Sequence, residues 1–366
     1  MFDDLVCGWH LAARHGAALP TPLAPSDGLL SDLVHLFHEP MDTQIMKIVI
    51  GGAAGYDEVP ELYKVADRYE IAFAPDDVSL KEHLSEAEIF VSWSFRGSGL
   101  EKSWALAKRL KWVHWCGAGV KPALFDGLVA SDVVLTNARG IFDQAMAEYV
   151  LATMLAFGIG LPQMQKEQRA RRWTYRQSEL IGGTRAVIFG VGSIGQRIAQ
   201  LLQAVGVSIT GVGRTARTTS SIFGNVLGRK ERISAISEAD WVIAVMPETS
   251  ETDGYFGVAE FAAMRPSARF INVGRGNSVD EAALLAALTQ NRIAGAALDV
   301  FRAEPLPQDS PFWAAPNVIV SPHVSGDYKD YERTVSLQFL DNLERYATGA
   351  KLLNVVDKKA GYVSTE

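Results

Sequence analysis

Gly190-Val-Gly-Ser-Ile-Gly195 stands between an apolar run, Arg185-Ala-Val-Ile-Phe189, and a stretch in which Ile194, Ile198, Leu201, Leu202 and Val205 recur at helical spacing. A buried strand, a glycine turn and an amphipathic helix in that order describe the first crossover of a doubly wound sheet with a pyrophosphate cradle. Gly190 permits the tight turn, Gly192 lets backbone approach phosphate oxygens, and Gly195 lets the helix pack closely on the strand. The helix N-terminus adds unpaired N–H groups and a dipole that favours an anion. A glycine turn alone is often merely structural. With both flanks in place, this one reads as a nicotinamide dinucleotide site.

The chain has 366 residues, enough for two domains, and 48% apolar content supplies two cores. Its 35 basic and 42 acidic residues leave a formal charge of −7, which argues against a nucleic-acid partner or an anionic membrane surface. Two cysteines, Cys7 and Cys116, make no disulfide framework, and a reducing cytoplasm fits them. Cys116 reads as a small buried side chain, and no Cys/His cluster has metal-ligand spacing, so no metal is expected. The apolar stretch Ala145 to Leu161 is broken by Glu148 and Gly158 and is short for a membrane span. Residues 1–45 include the proline-rich Leu19-Pro-Thr-Pro-Leu-Ala-Pro25 and lack periodicity; they read as a poorly ordered, dispensable extension ahead of a strand that opens at Met46, with a functional arm as the alternative.

Strand-like runs at 47–50, 71–74, 89–93, 112–115 and 133–136 alternate with helical patterns such as 101–110, implying parallel βαβ units. A nearly all-apolar helix follows, Asp143 to Phe157, with Asp143 as expected N-cap; such a helix must be buried on more than one side. A second alternating series begins with the 185–189 run and continues at 208–213, 241–246, 269–273, 294–300 and 318–321. The fold class is α/β: two doubly wound parallel-sheet domains, a Rossmann nucleotide-binding domain (142–326) inserted in a split, flavodoxin-like substrate domain (46–141 plus 327–366). The tail from Asp327 to Thr348 returns as a helix with Val335, Leu337, Leu340, Leu343 and Tyr346 toward one side.

Three polar residues fall at or beyond the C-terminal ends of second-series strands, where open α/β sheets bind ligands. These are Arg275, Glu304 and His323. A lone His or Arg there is as often a structural hydrogen-bonder, but these three suit one reaction. His323 can exchange a proton near neutral pH, Glu304 can hold its imidazole, and Arg275 can grip a 2-oxo-acid carboxylate with a planar fork.

From about Met46 to Tyr362 the chain resembles the D-isomer-specific 2-hydroxyacid dehydrogenase family, including its NADPH-linked glyoxylate/hydroxypyruvate reductase-type members. The resemblance rests on the strand and G-V-G-S-I-G, Asn272-Val-Gly-Arg-Gly276 with Val279-Asp-Glu281, Ala297-Leu-Asp-Val-Phe301 with Glu304-Pro305, and Ser321-Pro-His-Val-Ser325. Leu135-Thr-Asn-Ala-Arg-Gly140 with Ala147-Glu148 matches the family's interdomain crossing. It implies reduction of a 2-oxo acid to a D-2-hydroxy acid, with Arg275, Glu304 and His323 as the catalytic set and Asp299 on the nicotinamide carboxamide. It also implies a closing cleft and a homodimer built around the Asp143–Phe157 helix. Cys116-Gly-Ala-Gly-Val120 matches the substrate-domain loop, placing the amides of Ala118 and Gly119 on the substrate carboxylate. Ser193 and Ile194 in the turn, with Pro247, Thr252 and Val273 after later strands, complete the expected cofactor set.

One departure bears on the cofactor. NAD sites of this kind place an acid about 20 residues beyond the glycine turn. Here Gly213 stands in that place, followed by Arg214, Thr215 and Arg217, which suit a 2′-phosphate. NADP is therefore expected; NAD remains the alternative if Arg214 merely faces solvent. A nucleotide-sensing module that has lost catalysis is the other class of reading, and it has no need of the intact Arg275, Glu304 and His323. A formate dehydrogenase would be expected to carry Gln at Glu304, and phosphoglycerate members often carry a further regulatory domain. Trp93, Phe95, Trp112, Trp115 and Trp173 are candidates for an aromatic substrate pocket or for core, and glyoxylate, hydroxypyruvate and arylpyruvates all stay open as substrates.

Overall fold

The structure is a computed structural model and describes residues 45–94, 99–219 and 221–363. The expected extension up to Gln44, and Phe95, lie outside the described residues. Five strands, β1 (Lys47–Gly51), β2 (Glu70–Ala74), β3 (Ile89–Ser92), β4 (Trp112–Trp115) and β5 (Val134–Asn137), pair in parallel in the order β2-β1-β3-β4-β5. That is the flavodoxin-like winding.

Eight further strands form the second sheet: β6 (Arg185–Phe189), β7 (Ser208–Val212), β8 (Arg217–Thr218), β9 (Asn225–Leu227), β10 (Trp241–Ala244), β11 (Arg269–Asn272), β12 (Gly295–Leu298) and β13 (Val318–Val320). Their order is β13-β12-β11-β10-β6-β7-β9-β8, parallel except at β8/β9. The chain leaves β6 to one side and later returns to its other side, so the glycine turn after β6 sits at the switch point where such sheets bind ligands. The pair β8 and β9 went unread in the sequence because both are short and largely polar, without alternation.

The helix Asp143–Gly158 packs Met146, Val150, Met154 and Phe157 against Ile188, Ile198 and Leu202 of the eight-stranded sheet's layer. Its N-cap is Phe142, and Asp143 is already helical. The Asp143 carboxylate instead accepts from Ser193 Oγ at 3.3 Å, so the expected cap is a contact to the glycine turn. The helix Tyr331–Ala347 buries Val335, Phe339 and Leu343 on the five-stranded sheet. Leu337, expected on that face, is exposed, and Phe339 takes its place because the helical phase is set by 335, 339 and 343. In the second sheet Phe256 is fully buried among Phe189, Phe270 and Tyr255, and its backbone exchanges hydrogen bonds with Ser278 and Asp280. This core aromatic thus pins the loop that carries Arg275. Among the described residues no single helix is long and apolar enough to cross a membrane.

Candidate active site

A cleft of about 690 Å³ runs along the C-terminal ends of the eight-stranded sheet. At its middle, Gly190 adopts φ 110° and donates to the Val212 carbonyl at 3.1 Å. A Cβ there would lie 2.7 Å from the Val245 carbonyl oxygen, and one at Gly195 would lie 1.9 Å from that of Gly190. Both positions exclude side chains for packing reasons. Gly192 caps the helix Ser193–Ala204 and meets nothing within 4 Å of its Cβ position, so the open side of the turn faces the cleft. An open backbone cradle at a twelve-residue helix start fits a pyrophosphate. Burial pushes the Asp143 carboxyl beside this turn upward, against the opposing pull of Ser193 and Arg139. The sequence offered no sign of that neighbour.

The three chemistry-bearing residues meet in the same cleft. His323 Nδ1 lies 2.7 Å from Glu304 Oε2, and Glu304 Oε1 accepts from the Phe301 amide at 3.0 Å. Burial opposes ionisation of Glu304, yet these hydrogen bonds and the charge of Arg275 outweigh it and hold the carboxyl below its usual range. Arg275 enters on extended backbone after β11, its Nη1 donating to the Gly274 carbonyl at 2.7 Å. Burial disfavours its charge, and Glu248 and Glu304 partly restore it. The guanidinium lies directly on the loop after β4: a Cβ at Gly119 would be 1.8 Å from Arg275 Nη2. That loop is steadied by Asn137 Nδ2, which donates to the Ala118 carbonyl at 2.6 Å.

His323 has φ 57°, in the left-handed region, so something must hold the turn. The Asp299 carboxylate does so, accepting from Ser321 Oγ at 2.6 Å and from the Val324 and Ser325 amides at 2.9 Å each. Tyr149 on the long helix adds its hydroxyl, 2.6 Å from Ser321 Oγ, and burial pushes its own pKa up to about 12. Asp299 is 1% exposed, with both carboxylate oxygens engaged by the histidine loop.

At the far end of the cleft Gly213, Arg214 and Arg217 are present as expected, while Thr215 lies exposed and off the wall. The β8/β9 hairpin brings Arg229 to the same end, a residue missed because the hairpin was missed. A carboxylate is present after all, from a different loop: Glu251 Oε2 is 3.4 Å from Arg214 Nε. Tyr362 also reaches this end, its ring centroid 5.3 Å from the Arg214 guanidinium carbon. Ser193, Ile194, Pro247, Thr252 and Val273 all line the cleft, and the Thr252 hydroxyl donates to the Pro247 carbonyl at 2.7 Å.

None of the four candidate tryptophans lines the cleft. Trp112 and Trp115 are core, Trp173 is fully exposed, and Trp93 lines a separate depression with Asp57 and Arg333. Among the described residues, the aromatic groups on the cleft are Phe142, Tyr255, Tyr331 and Tyr362.

Residues 151–325 match the family model for the NAD-binding domain of D-isomer-specific 2-hydroxyacid dehydrogenases. A glyoxylate/hydroxypyruvate reductase A from Serratia proteamaculans is 30% identical over 260 residues, which cover 69% of this chain and 82% of that protein. The chain belongs to the D-isomer-specific 2-hydroxyacid dehydrogenase family. Among solved structures, a member of this dehydrogenase family from Aeromonas salmonicida is 32% identical with a TM-score of 0.75, covering 86% of this chain and 99% of that one. An NADPH-dependent glyoxylate/hydroxypyruvate reductase from Sinorhizobium meliloti, solved with NADP and sulfate, is 28% identical with a TM-score of 0.75, covering 87% and 100%. As a 2-hydroxyacid dehydrogenase, the chain is an NAD(P)-dependent oxidoreductase.

Proposed function

We propose that this protein reduces a small 2-oxo acid to the D-2-hydroxy acid with NADPH. The observation that carries the reading is the His323–Glu304 pair, at 2.7 Å, sharing one cleft with Arg275 and the open glycine turn. The turn at Gly190, Gly192 and Gly195, with the amides that open the following helix, would hold the pyrophosphate. When bound, NADPH supplies a hydride to the substrate carbonyl carbon. Arg275 binds the substrate carboxylate as a planar fork, beside the amides of Ala118 and Gly119. His323, with Nδ1 engaged by Glu304, passes a proton to the carbonyl oxygen through Nε2. Glu304 stays ionised and stabilises the imidazolium that this transfer requires.

Preference for NADPH is supported by three guanidiniums at the far end, Arg214, Arg217 and Arg229, with the carboxylate of Glu251 beside Arg214. A 2′-phosphate would take the place of that carboxylate on Arg214. We also divide the chain into a substrate domain, 46–141 plus 327–366, and a nucleotide domain, 142–326, and assign it as a cytoplasmic homodimer. Leu155, Ile159, Leu161 and Met164 form an exposed apolar stripe on and after the long helix, and Trp173, Tyr175 and Leu180 beyond it are also exposed. Light scattering that gave a monomer at micromolar concentration would refute the dimer.

The test of function is NADPH oxidation over glyoxylate, hydroxypyruvate and an arylpyruvate. Turnover of at least one of them is expected. Binding of NADPH without turnover of any would sink the enzyme reading in favour of a nucleotide-binding module.

A further inference from the structure

The stretch after the helix Tyr331–Ala347 returns along the five-stranded sheet before it reaches the cleft. Val356 donates to the Leu135 carbonyl at 2.8 Å, and Val355 bridges Thr136. Lys358 Nζ then donates to three carbonyls that precede β5, those of Leu128 at 3.0 Å, Ser131 at 2.5 Å and Val133 at 2.9 Å. Asp357 closes a tight turn: its carboxylate accepts from the Lys359 and Ala360 amides, and its backbone bonds Gly361 and Tyr362. Gly361 has φ 81°, a value that suits glycine. This anchored turn sets Tyr362 against Arg214, which follows β7 in the other sheet.

We propose that Tyr362 is a specificity-determining residue, holding the Arg214 guanidinium at the cleft for the 2′-phosphate of NADPH. The proposal rests on the NADPH preference argued above. A guanidinium offers two different surfaces, a π face and an edge of N–H donors. The Arg214 guanidinium carbon lies over the Tyr362 ring, and its Nε faces Glu251. A phosphate would compete with Glu251 for the N–H donors, while the ring restrains a side chain that is otherwise half exposed and rich in rotamers. Because Tyr362 is fastened to the five-stranded sheet and Arg214 to the eight-stranded one, the same contact ties the two walls of the cleft together at this end.

The experiment measures dissociation constants for NADPH and NADH by quenching of protein fluorescence, with melting temperature without cofactor as the check on folding. The proteins compared are wild type, Tyr362→Leu, Tyr362→Phe, Arg214→Ala and Arg214→Ala/Tyr362→Leu. Tyr362→Leu is expected to weaken NADPH by about two- to fivefold, the range of an exposed cation–π contact, and to leave NADH unchanged. Tyr362→Phe keeps the ring face and should bind as wild type does. Without Arg214, Tyr362→Leu should have no further effect. Equal weakening of both cofactors, or undiminished weakening in the Arg214→Ala background, overturns the proposal. Should Tyr362→Leu melt early, Tyr362→Met is read in its place against the same outcomes. Wild type binding both cofactors equally would defeat the NADPH reading itself. Wild type preferring NADPH, with Tyr362→Leu retaining that preference in full, defeats this inference alone.

Discussion

Asp299 and His323 are bonded to each other across the β12 and β13 ends: the His323 amide donates to the Asp299 carbonyl at 2.9 Å, while the Asp299 carboxylate takes the two amides that follow. A non-glycine residue in the left-handed region costs roughly 1–2 kcal/mol. Three charge-assisted bonds to one buried carboxylate outweigh that cost and aim the imidazole at Glu304. The histidine is therefore oriented twice, once through its ring and once through its backbone.

Asp299→Asn should separate this role from direct cofactor binding. A carboxamide has one acceptor oxygen, so its NH₂ must face a donor and leave a buried group unsatisfied, at about 1–3 kcal/mol. We expect kcat to fall roughly tenfold or more through misplacement of His323, with NADPH affinity held. Loss of NADPH affinity at unchanged kcat would return Asp299 to the nicotinamide.

His323→Ala should lower kcat by roughly a hundredfold or more, the usual loss for a general acid. Glu304→Gln removes the charge that stabilises the imidazolium, and a smaller loss in kcat is expected. Stopped-flow turnover with saturating NADPH measures both. Near-normal kcat in folded His323→Ala protein would exclude the proton-transfer role.

Arg275→Ala should strongly impair use of the oxo acid while leaving NADPH binding intact. Gly119→Ala tests the same contact from the opposite wall, since its methyl would land 1.8 Å from Arg275 Nη2 and must displace the guanidinium. KM for the oxo acid should rise in both variants. An unchanged KM in Gly119→Ala would mean that Arg275 acts from another position.

The sequence made the β6 turn, both parallel series and the trio at the strand ends legible because each depends on local pattern: period, glycine placement and position beyond a strand. What it hid depends on contacts between segments far apart in the chain. Glu251 meets Arg214 from 37 positions on, Tyr362 meets it from the tail, and Tyr149 reaches Ser321 across 172 positions. The tryptophans stayed open between pocket and core for a related reason. Aromatic side chains are common in both pockets and cores, and only packing separates Trp112 in the core from Trp173 in solvent.

Cofactor choice follows from the arginines beyond β7. A charge-assisted Arg–phosphate contact exceeds a neutral hydrogen bond by roughly 1–2 kcal/mol, so NADPH should be favoured over NADH by about tenfold or more in kcat/KM. Glu251 competes for Arg214, and Glu251→Gln should therefore widen the preference. Gly213→Asp with Arg214→Ala should reverse it: the new carboxylate repels phosphate and, from a Cβ 3.1 Å from Arg217 Nη1, also pairs with the second arginine. Equal use of both cofactors by wild type would refute the selectivity argument.

His114 gives the fold an acid sensitivity of its own. Its ring is wholly buried on β4, with Nδ1 2.9 Å from Thr136 Oγ1, the Phe339 ring beside it and, among the described residues, no hydrogen-bond partner for Nε2. Burial drives its pKa from 6.5 down to about 3. The native state thus refuses a proton that the unfolded chain accepts below pH 6.5, so stability is whole above that pH and falls as pH drops toward 3. The slope approaches about 1.4 kcal/mol per pH unit within that window. His114→Phe keeps an aromatic ring against Phe339, and Trp112 Nε1 still serves Thr136 at 2.8 Å. Between pH 7 and pH 5, the unfolding free energy measured in urea should fall by about 2 kcal/mol more in wild type than in His114→Phe. Parallel pH dependence in the two proteins would show that the buried imidazole gains its proton without opening the fold.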